Sequence, residues 1–577
     1  MIDPLNDLTL EVRAAAIAAF GTAGGSVDLA IHRSEHADYQ AHVALGLARA
    51  LGRPPREIAS AIVHHLPGGE VLDGAAVSGP GFINLTCRSE YLALQLGYMR
   101  GDELLGVARA LHPDRVVMDF SSPNLAKEMH VGHLRSTILG DSLARILEHL
   151  GHEVIRQNHL GDWGTPFGML IEHLLDEGTA HGGDVRELSA FYRAARLKFD
   201  GDPGFADRAR RRVVLLQSGD PPTLDHWKRL VEITTDHIDA LYRQLHVGLG
   251  REDIAGESRY NSELEGVVTE LERVGLARSS DGAVCVFPPG FAGRDGQALP
   301  LIVRKQDGGF GYAATDLAAL KYRLRELRAT RVLYVVGAPQ SQHFAMVFET
   351  ARLAGWVPDG ARLEHVAFGS VLGQDGKVLK TRAGEAVSLS ALLDEAIVRA
   401  RTIVDEGSRS LGEAERARIS DIVGIGAVKY ADLANDRIRD YVFNWSRMMA
   451  FEGNTAPYLM YAHARIQSII RKAHSGTMSC VDEHETLRID DPAERALALE
   501  ILQFPSTLAR VGDTLQPHRL CQQLFRTATA FSGFYDGCPV LNADTPTRSS
   551  RLELCDLTAR VLARGLELLG IEAPEAM

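Results

Sequence analysis

Apolar residues recur along this chain at two spacings, and the changes between them divide it into three parts. In the first part, about 1–111, two stretches carry apolar residues three and four apart: ADYQAHVALGLARALG, from Ala37 to Gly52, and PPREIASAIVHHL after it. Both predict amphipathic helices, and the run GPGFINLTC predicts a short strand. This part reads as a small α+β module that ends near Pro113 and Asp114. A continuous apolar run beginning at Arg115, RVVMDFSS, predicts a buried strand leading into a Pro-Asn turn. A helix from about Val131 to Leu150 follows, stopped by Gly151, and EVIRQNHLG gives a second strand. Strand, helix and strand within roughly 45 residues form a βαβ unit, hence a parallel, nucleotide-binding type of sheet. Similar strands recur at Arg331 (RVLYVVGA) and Glu364 (EHVAFGSVLG), and the charged stretch between, about 174–298, predicts helices inserted between two halves of that sheet. From about Ser408 to Met577 the helical spacing is almost unbroken, which predicts a helix bundle.

The composition narrows the class without naming a function. An apolar share of 45% and a charged share of 24% over 577 residues describe a soluble, multidomain globular protein. No apolar run is long enough to span a bilayer, and the N-terminus lacks the basic start and apolar stretch of a secretory signal. Cys87, Cys285, Cys480, Cys521, Cys538 and Cys555 include no CxxC pair, which argues against zinc and a disulfide framework and for a reducing cytoplasm. The net charge of -13 opposes indiscriminate nucleic-acid binding, yet a local basic face can coexist with an acidic whole.

Chemistry concentrates where the first strand hands over to the helix, in SSPNLAKEMHVGHLRST, Ser121 to Thr137. His130 and His133 share one face of a helix start, where unpaired amides and the dipole favour an anion. Gly132 between them leaves room for a base or ribose, and Lys127 adds a cation upstream. The set suits a triphosphate. A second cationic element follows a strand at Gly376, KVLKTRAGEAVSL, with Lys377, Lys380 and Arg382 on a loop able to close over pyrophosphate. Each motif alone also fits a solvated turn.

Taken together, these segments resemble class I aminoacyl-tRNA synthetases, in the version specific for arginine. SSPNLAKEMHVGHLRST is similar to the family's HIGH signature. NHLGDWGTPFGMLIEHL, GKVLKTRAG, GIGAVKYADL, FEGNTAPYLMYAHARI and FSGFYDGCPVL continue the likeness in order to Met577. The resemblance implies a multidomain α/β fold: an N-terminal tRNA-contacting α+β module at 1–111, a Rossmann-like catalytic domain at 112–407, and a helical anticodon-binding domain at 408–577. It implies ATP-dependent activation of L-arginine and transfer to tRNA(Arg). Mg²⁺ would accompany ATP, with no protein metal site and no zinc, and the chain would act as a cytoplasmic monomer.

The same resemblance assigns residues. His130, Gly132, His133, Lys380, Thr381 and Arg382 would bind ATP, with His130, His133, Lys127, Lys380 and Arg382 catalytic. Arg382 departs from the lysine of the family's KMSKS loop, and Lys127 would compensate. Asp119, Asn124, Tyr312, Asp316 and Gln340 would hold arginine, because a guanidinium taken out of water needs a carboxylate facing it. Phe82 and Asn84 would meet the outer corner of tRNA, and Tyr458, Arg465, Tyr535 and Met577 the anticodon. Tyr458 and Tyr461 also fit core positions. His36 to His42 (HADYQAH) and Pro166 depart from the family's usual residues. Those departures, with the KTR loop, keep in view a duplicate serving another pathway, and an adenylate-forming enzyme without tRNA is a second alternative, from a different class.

Overall fold

In the computed structural model, residues 2–125, 128–178, 185–293, 296–379, 387–407, 411–475 and 487–577 are described. The N-terminal part is a four-stranded antiparallel sheet with helices. Its strands are β1 (Ile31–Arg33), β2 (Tyr39–Ala41), β3 (Leu72–Ser78) and β4 (Phe82–Cys87), in the order β1-β2-β4-β3. A first helix, Pro4–Phe20, is capped by the Asp3 carboxylate, which accepts from the Leu5 amide at 2.8 Å. The stretch predicted as one helix from Ala37 splits: Tyr39–Ala41 is strand and only Val43–Leu51 is helix. Tyr39 and Ala41 are buried and pair with Leu85 and Ile83, a partnership with residues far along the chain that helical spacing does not register.

The central sheet is parallel. β5 (Arg115–Asp119) is followed by the helix Val131–His149 and β6 (Glu153–Gln157). The insertion between the halves is largely helical, through Pro221–Gln244 and Leu264–Arg273, but ends in the strands β7 (Ala277–Ser280) and β8 (Ala283–Val286), which pair antiparallel with β9 (Leu301–Arg304) just beyond it. These strands correct the all-helical expectation. Their signal was in the sequence: Asp281 and Gly282 make a two-residue turn with φ of 49° and 78°, the left-handed pair that closes a tight hairpin. The chain then returns to the sheet as β10 (Arg331–Tyr334) and β11 (Arg362–His365), giving the order β11-β10-β5-β6. β5 therefore has β6 on one side and β10 on the other, and the strand order reverses between β5 and β10. In open parallel sheets the crevice at the carboxyl end of such a switch point is where ligands bind.

Among the described residues from Leu389 onward, the regular elements are helices apart from a two-residue strand, Tyr441–Val442. Its helices bury one face each, with Leu459, Leu497, Leu524 and Leu562 all fully buried. Pro166 sits at the first turn of the helix Thr165–Glu177, where a missing N–H costs nothing. Among the described residues no helix is long and apolar enough to cross a membrane.

Candidate active site

The turn that follows β5 is the most constrained backbone at the switch point. Ser121 and Ser122 both have positive φ, 68° and 46°, a conformation that costs a non-glycine residue about 1 kcal/mol or more unless its surroundings enforce it. Here they do. The Ser121 hydroxyl bonds Thr137 at 2.8 Å and Tyr242 at 2.6 Å, and the Ser122 amide donates to Asn158 at 3.0 Å. Tyr242 comes from the long insertion helix Pro221–Gln244, so the insertion braces this turn.

The turn delivers the chain to the helix Val131–His149 with His130 as its N-cap. The Gly132 amide donates to His130 Nδ1 at 3.0 Å, and the His130 amide donates to His133 Nδ1 at 3.1 Å. Both Nδ1 atoms are acceptors, so each neutral ring carries its proton on Nε2 and is a fixed donor there. The two rings lie 4.0 Å apart. Gly132 serves this cap as well as any ligand, because a Cβ there would stand 2.7 Å from His130 Cε1. Gly132→Ala is therefore expected to swing the His130 ring and lower the ATP–pyrophosphate exchange rate by roughly 10²-fold with unchanged circular dichroism. A rate within error of the parent would show that the ring's placement does not matter.

Lys127, Lys380, Thr381 and Arg382 lie outside the described residues. The Leu379 amide donates to the Val371 carbonyl at 3.0 Å. On the far side of 380–386 the Val131 amide donates to Val387 O at 2.9 Å and the Leu389 amide to Met129 O at 3.0 Å, with Ser388 bonded to Glu128. One end of the cationic loop is thus stitched to the histidine segment itself.

Asp119 closes β5, buried, with Arg323 Nη2 2.7 Å from one oxygen and the Ser122 hydroxyl 2.7 Å from the other. Burial pushes its carboxyl up, but Arg323, His159 and these hydrogen bonds outweigh burial and hold it below the usual range. Its charge is matched inside the protein. Asp316 lies two turns before Arg323 on the helix Tyr312–Arg325 and receives His343 Nε2 at 2.6 Å. His343 lies in the first turn of the helix Ser341–Leu353, just after Gln340, which is exposed, as are Tyr312 and Asn124.

A further carboxylate joins this edge that the sequence did not single out. Glu257, in the short turn Glu257–Glu263 of the insertion, is electrostatically close to Asp162, Asp316 and Tyr312. Burial first, then its acidic neighbours, push its carboxyl up to about 7. Asp162 is satisfied, accepting the Ser258 amide at 2.8 Å and hydroxyl at 2.6 Å, so it orients backbone. Trp163 packs edge-on against Trp227.

Away from the sheet, Phe82 and Asn84 stand half-exposed on one face of β4. Gln40 donates to Asn84 Oδ1 at 2.7 Å and the His42 ring lies 4.5 Å from Phe82, so these two residues extend the face. In the bundle, the Arg465 guanidinium lies 4.4 Å from the centroid of Tyr535. Tyr458 is half-buried against Phe525, whereas Tyr461 is 47% exposed, which makes Tyr461 the freer of the two rings. Met577 is half-buried against the same core.

Comparison with known proteins agrees with this fold. Residues 100–445 match the family model for tRNA synthetases class I (R), catalytic domain. Residues 6–87 match the arginyl tRNA synthetase N terminal domain and 459–577 the DALR anticodon binding domain. The chain is 53% identical over its full length to the arginine–tRNA ligase of Thermobifida fusca, itself fully covered. It is 49% identical to that of Frankia casuarinae, covering 99% of this chain and 98% of that one. Among solved structures, arginyl-tRNA synthetase from Plasmodium falciparum superposes with a TM-score of 0.85 at 28% identity, covering 99% of each chain. That of Thermus thermophilus gives 0.82 at 27% identity, covering 99% of this chain and all of that one. With a catalytic-domain match over more than half its length and relatives this similar end to end, the chain belongs to the arginine-specific class I aminoacyl-tRNA synthetases.

Proposed function

We propose that the chain is an arginine–tRNA ligase that activates L-arginine with ATP and transfers it to the 3'-terminal adenosine of tRNA(Arg) in translation. The observation that carries this reading is one sheet edge bearing both halves of the chemistry: a histidine-capped helix mouth for phosphate, and beside it Asp316, Glu257 and Tyr312 for a cation. In the first step the arginine carboxylate attacks the α-phosphate in line, forming arginyl-adenylate as pyrophosphate leaves. His130 and His133 donate through Nε2 to the phosphates, Lys127, Lys380 and Arg382 complete the cationic surround, and the Thr381 hydroxyl adds a neutral contact to ATP. No covalent enzyme intermediate is required; the work is positioning and charge stabilisation. In the second step the terminal 2'-hydroxyl attacks the adenylate carbonyl and AMP leaves.

Asp316 and Glu257 take the guanidinium, with Tyr312, Asn124 and Gln340 as polar contacts and Asp119 acting together with Arg323 as the floor beneath them. Phe82, Asn84, Gln40 and His42 form the contact with the outer corner of tRNA; Tyr458, Tyr461, Arg465, Tyr535 and Met577 form the anticodon face. Mg²⁺ arrives on the nucleotide phosphates as part of the substrate, and among the described residues no group of three or more metal-ligating side chains stands ready. In this reading 1–111 is the tRNA-contacting module, 112–407 the catalytic domain and 408–577 the anticodon-binding domain, and the chain works as a monomer in the cytoplasm, where tRNA is charged.

Charging of tRNA(Arg) with each of the twenty amino acids tests the reading: arginine alone should be esterified, and preference for another amino acid would overturn it. A pH dependence follows too. Glu257 with a carboxyl near 7 is partly protonated in the free site, and only its ionised form attracts a guanidinium. Arginine KM is expected to fall by up to about tenfold per unit as pH rises through this range, and to flatten above it. In Glu257→Gln the KM should be high and independent of pH from 6 to 8; an unchanged profile would remove Glu257 from the pocket.

A further inference from the structure

Lys429, in GIGAVKYADL, is fully buried on the helix Glu413–Leu433, far from any solvent counterion. Its Nζ donates to two carbonyls at 2.6 Å each, Leu245 O and Gly570 O. The Asp141 carboxylate is its nearest favourable charge, and burial still pulls the ammonium down to about 8. A buried cation costs several kcal/mol of lost hydration, and an apolar side chain of similar volume would fill the space without that penalty. What the ammonium does, and a methyl group does not, is fix the separation of the carbonyls it binds.

Those carbonyls belong to two different parts of the chain. Leu245 ends the long insertion helix that carries Tyr242, the hydroxyl bonded to Ser121 in the strained catalytic turn. Gly570 begins the C-terminal tail. From there Ile571 is buried, the Pro574 carbonyl accepts from His463 Nδ1 at 2.9 Å, and the Glu575 carbonyl accepts from Arg471 at 3.2 Å. His463 and Arg471 lie on the helix Ala456–Ser475 that also carries Tyr458, Tyr461 and Arg465. The third member, Asp141, sits two turns beyond His133 on the same helix and accepts the Gly248 amide and Arg145 Nε, both at 2.8 Å. Ser142 beside it donates to Leu568 O at 3.1 Å. Gly570 has φ of 69°, and a Cβ there would stand 2.7 Å from both Asp141 Oδ2 and Lys429 Nζ, so no room is left in the junction.

We propose that Lys429 is a positioning residue: by clamping Leu245 and Gly570 beside Asp141 it joins the anticodon-facing helix and tail to the histidine-bearing helix, so that tRNA bound at one is felt at the other. The proposal rests on the arginine-activating reading above. An α-helix transmits displacement as a rod, and eight residues separate Asp141 from His133, roughly 12 Å of helix at 1.5 Å per residue. A shift of the tail against the Ala456–Ser475 helix therefore has a hydrogen-bonded route through the ammonium to Leu245 and the helix that braces the Ser121 turn, while the histidine-bearing helix feels the same ammonium through the charge of Asp141 and meets the end of the last helix through Ser142.

The test is the coupling between sites, which is reciprocal for equilibrium binding. The Kd of tRNA(Arg) would be measured on the full chain with and without arginine plus a non-hydrolysable ATP analogue. In the parent protein these ligands should tighten tRNA by a factor on the order of 10. In Lys429→Met that factor should fall to near one, while the Kd of each ligand measured alone stays within about threefold. Lys429→Arg, which keeps donors to the two carbonyls, should restore part of the factor; Gly570→Ala, which crowds the junction without removing the charge, should lower it and serves if the methionine variant does not fold. The proposal is overturned if a folded Lys429→Met keeps the parent factor, if Gly570→Ala does so when Lys429→Met is insoluble, or if the parent charges arginine yet shows no coupling. A parent that fails to charge arginine at all would instead overturn the functional reading.

Discussion

Replacing His133 with alanine is expected to lower arginine-dependent ATP–pyrophosphate exchange by roughly 10²–10³-fold, with tRNA affinity within about twofold of the parent. The ring has two jobs that the substitution removes together. Its Nδ1 accepts the His130 amide, which completes the helix cap, and its Nε2–H is the donor that the proposed function assigns to the nucleotide. Loss of the cap alone costs about 1 kcal/mol of stability, a change in melting temperature and not in chemistry. His133→Asn separates the two, because a short amide oxygen can still receive the His130 N–H. A rate loss common to both variants, with the melting temperature recovered in the asparagine variant, would isolate the missing imidazole donor. Exchange at the parent rate in both would remove His133 from the mechanism.

Asp316→Asn is expected to raise the arginine KM by about 10²–10³-fold, because removing one partner of a desolvated ion pair costs about 3–5 kcal/mol. His343 stays beside the new amide, so the local hydrogen bond to position 316 survives and the loss is of charge. The effect should fall on KM more than on kcat, since the guanidinium lies away from the reacting carboxylate and its contact is the same in the ground and transition states. Titration of exchange with arginine reads both constants. A KM within threefold of the parent would move the guanidinium elsewhere along the sheet edge.

How much of this was legible in the sequence depended on distance along the chain. The βαβ unit, the histidine pair and the helical tail were readable because each is encoded within one short segment: an apolar strand, a turn, a periodic helix. The antiparallel strand Tyr39–Ala41 was not, because its partner Phe82–Cys87 lies forty residues on and its three residues fall inside a helical spacing. The hairpin at Asp281 and Gly282 carried a readable turn signal that the charged surroundings obscured. Asp119 was recognisable as a strand-end carboxylate, but its partner Arg323 comes from a helix two hundred residues later, and only the fold reveals that its charge is already balanced. Glu257 was missed for the same reason: it lies in an insertion with no motif of its own, and becomes interesting only when folding sets it beside Asp162 and Asp316. Tyr461 reads as core by periodicity and is exposed because the bundle turns that stripe outward.

The central claim is that one edge of the parallel sheet holds a triphosphate and a guanidinium side by side. A crystal of the full chain grown with arginine and a non-hydrolysable ATP analogue tests it directly. The account predicts phosphate oxygens about 3 Å from Nε2 of His130 or His133, and guanidinium nitrogens about 3 Å from the Asp316 carboxylate with Glu257 alongside. Density for either ligand anywhere else on the molecule would contradict it.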